Sequence, residues 1–107
     1  MIATYFQWRV ASENREEFQR RWREATVSLL DEGSNGSSLW QSKDGDLCAF
    51  ALWPDHATRD AAFTKVRDEG QLESLSELIA DPIARIDLDE LENHWRLLTS
   101  ANPQKFA

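Results

Sequence analysis

The chain has 107 residues, with 12 Lys and Arg against 19 Asp and Glu, giving a formal net charge of −7. That length suits one domain and no second, and the acidic balance lacks the basic face that nucleic acid rewards. Hydrophobic residues at 41% and charged residues at 29% are globular proportions, which argues against disorder. Cys48 is the single cysteine, so neither an intramolecular disulfide nor a multi-cysteine metal knot is available. The longest apolar run, Leu47 to Trp53, is far too short to cross a membrane. No basic stretch followed by a long apolar core opens the sequence, so a soluble cytoplasmic protein is expected.

Ile2 to Val10 alternates Ile2, Thr4, Phe6, Trp8 and Val10 with Ala3, Tyr5, Gln7 and Arg9, a period of two that predicts a strand. The period then changes. Phe18, Trp22, Ala25 and Leu29 recur at helical spacing, with Ser12 or Asn14 as a cap, acidic residues in the first turn and Gly33 as a left-handed stop. A short strand over residues 37–42 and a third strand over 47–53 flank Asp44-Gly45. That pair predicts a two-residue hairpin with both turn residues at positive φ. Pro54 ends the third strand and Asp55 caps a helix carrying Ala61, Ala62, Phe63 and Val66. Gly70 breaks it, and Leu72, Leu75, Leu78 and Ile79 predict a second helical piece reaching Asp81-Pro82. The last apolar stretch, about Leu91 to Leu98, reads as a strand or as a helical turn beginning after Asp87 or Asp89.

The order is β-α-β-β-α-β, the split pattern of an α+β, ferredoxin-like sandwich. Right-handed crossovers put both helices on one face of the sheet. In the third strand, however, Leu47, Ala49, Ala51 and Trp53 point one way and Cys48, Phe50 and Leu52 the other. An apolar face without helices needs another cover, and a second copy of the chain is the economical one. Residues 1–99 are expected to form one domain and 100–107 a tail.

Phe6-Gln7-Trp8-Arg9-Val10, the helix from Phe18 to Trp22, Gly33-Ser34-Asn35-Gly36-Ser37, Asp44-Gly45 and Trp53-Pro54-Asp55 together resemble the antibiotic biosynthesis monooxygenase-like family, over roughly residues 2 to 70. The resemblance implies a dimeric α+β barrel in which two ferredoxin-like sheets pack through their helix-free faces. It also implies monooxygenase-like chemistry on an aromatic polyketide or quinol-type metabolite, without a tightly bound cofactor. The alternative is a non-catalytic homodimer that binds a small apolar ligand or is purely structural. Haem degradation in related enzymes uses a histidine from the second helix; here only His56 stands near it, at its start, and the first strand has no asparagine.

If the helices cover Phe6 and Trp8, then Tyr5, Gln7 and Arg9 face the helix-free side. A last strand over residues 91–98 would bring Glu92, His94 and Arg96 beside them. This reading casts His94 as a base and Arg96 or Tyr5 as the partner of a developing anion, with Gln7, Trp40 and Trp53 lining the pocket. The bland alternative is a seam of cross-sheet hydrogen bonds and ion pairs. No metal is expected from two isolated histidines, Cys48 reads as an inert core thiol, and the glycine-rich stretch after the first helix reads as a connector rather than a phosphate loop.

Overall fold

A computed structural model describes residues 1–96; the end of the expected domain and the tail from residue 100 lie outside the described residues. The elements are β1 (Ile2–Val10), α1 (Arg15–Asp31), β2 (Gly36–Gln41), β3 (Leu47–Trp53), α2 (His56–Asp68), α3 (Gln71–Ser76) and β4 (Ile79–Asp89). They form one antiparallel sheet in the order β2-β3-β1-β4, the ferredoxin-like arrangement expected from the sequence. Among the described residues no helix is long and apolar enough to cross a membrane.

Local chemistry sets the boundaries. Ser12–Asn14 make a 3-10 turn before α1, and neither Ser12 nor Asn14 caps the helix through its side chain. At the other end Gly33, at φ +110°, donates to the Leu30 carbonyl while Ser34 N–H donates to Leu29, the paired bonds of a left-handed helix stop. A Cβ at Gly33 would also lie 2.7 Å from the Thr58 methyl, so this glycine lets α1 and α2 approach closely. Asp55 caps α2 as expected, its Oδ1 accepting the Thr58 N–H at 2.7 Å.

Two expectations are corrected. The hairpin loop is not a two-residue turn: Gly45 N–H donates to the Ser42 carbonyl, and Gly45 alone has positive φ. Asp44 keeps an ordinary backbone because the longer loop asks for only one left-handed residue. The last strand is Ile79–Asp89, and residues 91–96 form no strand or helix. The second helical piece accordingly stops at Ser76. Pro82 lies within this strand, but β4 is an edge strand, where a missing N–H does little harm. Register shifts between Gln7 and Trp8 and between Arg9 and Val10 accommodate it.

Helices α1, α2 and α3 cover the face carrying Ile2, Phe6, Trp8 and Val10. One core cluster joins Ile2, Leu29, Ala51, Trp53, Ala62 and Val66, and another joins Val10, Phe18, Ala25, Leu47 and Leu75. Trp53 and Phe18 are fully buried. Replacing Trp53 with Ala is expected to cost about 3–5 kcal/mol through lost burial and the cavity left behind, a loss that equilibrium urea unfolding will register as a lower midpoint at unchanged slope.

Candidate functional site

The strand register fixes which side chains share the helix-free face. Tyr5 pairs with Phe50 on one side and Ile86 on the other, Gln7 with Cys48 and Ala84, and Ala3 with Leu52 and Leu88. Trp40 joins them because it pairs with Cys48. Residues 90–96 run across this face, and Trp95 lies over it. Two hollows result. One of about 340 Å³ is lined by Tyr5, Ser38, Trp40, Cys48, Phe50 and Trp95. Another, of about 260 Å³, includes Phe50, Leu52, Leu88, Leu91 and Trp95.

Of the residues expected at a site, Tyr5, Gln7 and Trp40 do share this face. Trp53 does not: its place in β3 turns it under the helices, where it is part of the core. His94 and Arg96 lie on the irregular segment after β4 rather than beside β1, and neither lines either hollow. The His94 ring is 84% exposed, with Glu92 Oε2 3.2 Å from its Nε2. Cys48 is buried in the sheet beside Tyr5.

The polar groups of the face bond to one another. Tyr5 O–H donates to Gln7 Oε1 at 3.0 Å, and Gln7 Nε2 donates to Asp46 Oδ2 at 3.0 Å. Asp46, itself buried, also accepts from Arg9 Nε at 3.3 Å. The chain of bonds satisfies these groups within a largely apolar surface. The Cys48 sulfur beside the phenol, followed by desolvation and the negative charge of Asp46, raises the Tyr5 pKa above its ordinary value of 10.0.

A third hollow, not anticipated from the sequence, lies on the helix side. It is a cleft of about 230 Å³ between α2, the start of α3 and β4, lined by Phe6, Asp60, Phe63, Thr64, Arg67, Leu72 and Arg85. Arg85 faces it because it pairs with Phe6 across β1 and β4. Its guanidinium sits 5.6 Å from the centre of the Phe6 ring and 5.9 Å from that of Phe63. The two rings meet edge to face at 6.2 Å. A smaller void of about 80 Å³ behind the same two phenylalanines reaches Trp8 and Trp22. The signal was present in the sequence as Asp60, Phe63, Thr64 and Arg67, one face of α2 at helical spacing.

A buried arginine supports this cleft. Arg59 has a side chain 6% exposed and donates from Nη1 to Asp87 Oδ1 at 2.8 Å and to Thr4 Oγ1 at 3.1 Å. Its Nε and Nη2 both donate to Asp60 Oδ1 at 3.1 Å. One guanidinium thus ties α2 to β1 and β4, with its charge matched by two carboxylates. Among the described residues no cluster of three or more His, Cys, Asp or Glu could hold a metal ion.

No protein-family model matches the sequence, and no curated protein does. Solved structures do match. Rv0793 from Mycobacterium tuberculosis superposes with a TM-score of 0.75 at 18% identity, covering 88% of this chain and 98% of that one. SnoaB from Streptomyces nogalater, a cofactor-independent oxygenase, gives 0.75 at 14% identity over 87% of this chain and 95% of its own. An antibiotic biosynthesis monooxygenase gives 0.73 at 15% identity over 86% and 100%. The chain has the antibiotic biosynthesis monooxygenase fold. At such identities the likeness is one of architecture, and chemistry must be argued from the site.

Tyr5 is the only tyrosine, so its ionisation can be followed directly by ultraviolet difference absorbance. The phenol is expected to titrate above 10.0, and Cys48→Ala to lower that midpoint. Because the folded value is raised, the associated stability is intact below the unfolded value and lost as pH rises through the folded one. A normal midpoint in the native protein would contradict the contact with Cys48.

Proposed function

We propose that the protein is a cytoplasmic homodimeric oxygenase-like enzyme that binds a planar, electron-rich aromatic or quinol-type molecule without a tightly bound cofactor. In this reading the helix-free face is the dimer seam and the ligand occupies the helix-side cleft. The observation that carries the reading is Arg85 poised over Phe6 and Phe63 at a preformed hollow. A cation above aromatic walls favours a π-rich ligand and stabilises negative charge developing on its oxygen. An electron-rich phenolate can react with dioxygen directly, and the protein then has to supply a charge partner, orientation and a largely dry cavity.

The helix-free hollows fit a seam better than a reaction site. Their walls are mostly aromatic and aliphatic, and Gln7, His94 and Arg96 do not line them. The polar groups of this face already bond to one another. Trp40, Ile86, Leu88 and Trp95 are exposed here, an apolar surface that a second sheet would cover.

Light scattering is expected to give about twice the 12.3 kDa of one chain. Phe50→Asp is expected to yield folded monomer by placing a charge on the seam. Titration with 2-naphthol should quench tryptophan fluorescence saturably, with Trp8 and Trp22 beside the void behind the cleft. Arg85→Ala should weaken that binding by roughly five- to thirtyfold, the range of a cation–π contact partly withdrawn from water. Loss of hydroquinone turnover in His94→Ala, with Arg85→Ala fully active, would return the chemistry to the C-terminal segment. Binding without turnover under every condition would leave the non-catalytic dimer as the better reading.

A further inference from the structure

The cleft has two chemically different ends. Asp60 and Arg67 lie seven residues apart on α2, about 10.5 Å along the axis at roughly 1.5 Å per residue, with Phe63 between them. Asp60 is fixed at its end: Oδ1 accepts two bonds from the buried Arg59, while Oδ2 accepts none among the described residues. That second oxygen is an acceptor with a set direction and no partner, on a side chain 65% exposed. At the other end, Arg67 makes no ion pair among the described residues, and neither does Arg85.

Resting on the assignment of the cleft as the ligand site, we infer that its ligand is a hydroxyaryl anion held in one orientation. The ring lies against Phe63 and the Arg85 guanidinium. A ring hydroxyl donates to Asp60 Oδ2, and a carboxylate or equivalent anion at the far end pairs with Arg67. An acceptor-only carboxylate rewards a hydroxyl and penalises a ligand that lacks one, because its lone pairs then lose solvent without replacement. A guanidinium rewards a carboxylate by charge-assisted hydrogen bonds. The two requirements sit at opposite ends, so a ligand meeting only one of them gains only one preference. Oxygenated aromatic acids satisfy both; neutral polycyclic hydrocarbons satisfy neither.

Calorimetric titration of the intact protein with 6-hydroxy-2-naphthoate, 2-naphthoate and 2-naphthol tests the orientation. The hydroxy acid is expected to bind at least tenfold tighter than either mono-functional probe. Asp60→Ala should erase its advantage over 2-naphthoate, with 2-naphthoate itself bound no more weakly than by the wild type. Arg67→Gln should erase its advantage over 2-naphthol while leaving 2-naphthol unchanged. Circular dichroism checks that each variant folds, and either variant alone decides its own end. Equal affinity for the three probes in the wild type would overturn the orientation and leave the cleft assignment standing. Failure of all three, 2-naphthol included, would overturn the cleft assignment and the orientation together.

Discussion

Helices can shield only one face of a four-stranded sheet, and both faces of this one are apolar at its centre. β3 is the source of the constraint: Leu47, Ala51 and Trp53 enter the two core clusters, while Cys48, Phe50 and Leu52 face away from the helices. The helix side is paid for within the chain by α1, α2 and α3. The opposite side carries Trp40, Ile86, Leu88 and Trp95 in partly exposed positions, with residues 90–96 crossing it as a thin cover. Surface of this kind is costly to leave in water. The two-faced sheet therefore underlies the proposed division of roles, with self-association on one face and a ligand hollow on the other.

The helix side holds its hollow open because its walls are tied down. Arg59 reaches from α2 to Thr4 on β1 and Asp87 on β4, a fully buried hydroxyl and a carboxylate on two different strands. A buried guanidinium with so many partners is weak as a source of net stability, since its desolvation offsets much of the attraction. Its effect is geometric: it fixes where α2 crosses the sheet, and with it the placement of Asp60, Phe63 and Arg67. Phe6 and Phe63 then meet edge to face, and Arg85 comes over both rings from the edge strand.

Periodicity made most of this fold legible. The period of two in β1, the helical spacing of Phe18, Trp22, Ala25 and Leu29, and the Asp55 cap each follow from local chemistry, and each appears where that chemistry puts it. β4 was illegible for a physical reason. As an edge strand it tolerates Pro82 and needs apolar residues less strictly, so its alternation is diluted by Asp81, Arg85, Asp87 and Asp89. The site residues suffered from the same error. Displacing the last strand by about a dozen residues put Glu92, His94 and Arg96 beside Tyr5 and hid Arg85, whose register partner is Phe6. Trp53 differs in kind: alternation in β3 separates its two faces but does not say which of them the helices cover, and Trp53 is on the covered one. Tyr5, Gln7 and Trp40 share a face because β1 and β2 lay where expected.

Charge adds a last argument about the cleft. A net charge of −7 repels anions at long range, yet solvent ions screen that repulsion beyond about 8 Å at physiological ionic strength. What an anionic ligand meets on arrival is therefore the local set of groups. In the cleft that set is Arg67 and Arg85 without ion-pair partners among the described residues, and Asp60 with one oxygen already committed to Arg59. Because Arg59 carries two carboxylates, Asp60 and Asp87, the supporting network is negative by one charge, and the two lining arginines outweigh it. Under the proposed assignment, a locally positive, aromatic-walled cleft in an acidic protein would select by contact rather than by long-range attraction. Such selection depends on shape and on the order of the groups along α2, so a ligand of the right charge but the wrong polarity from end to end gains little.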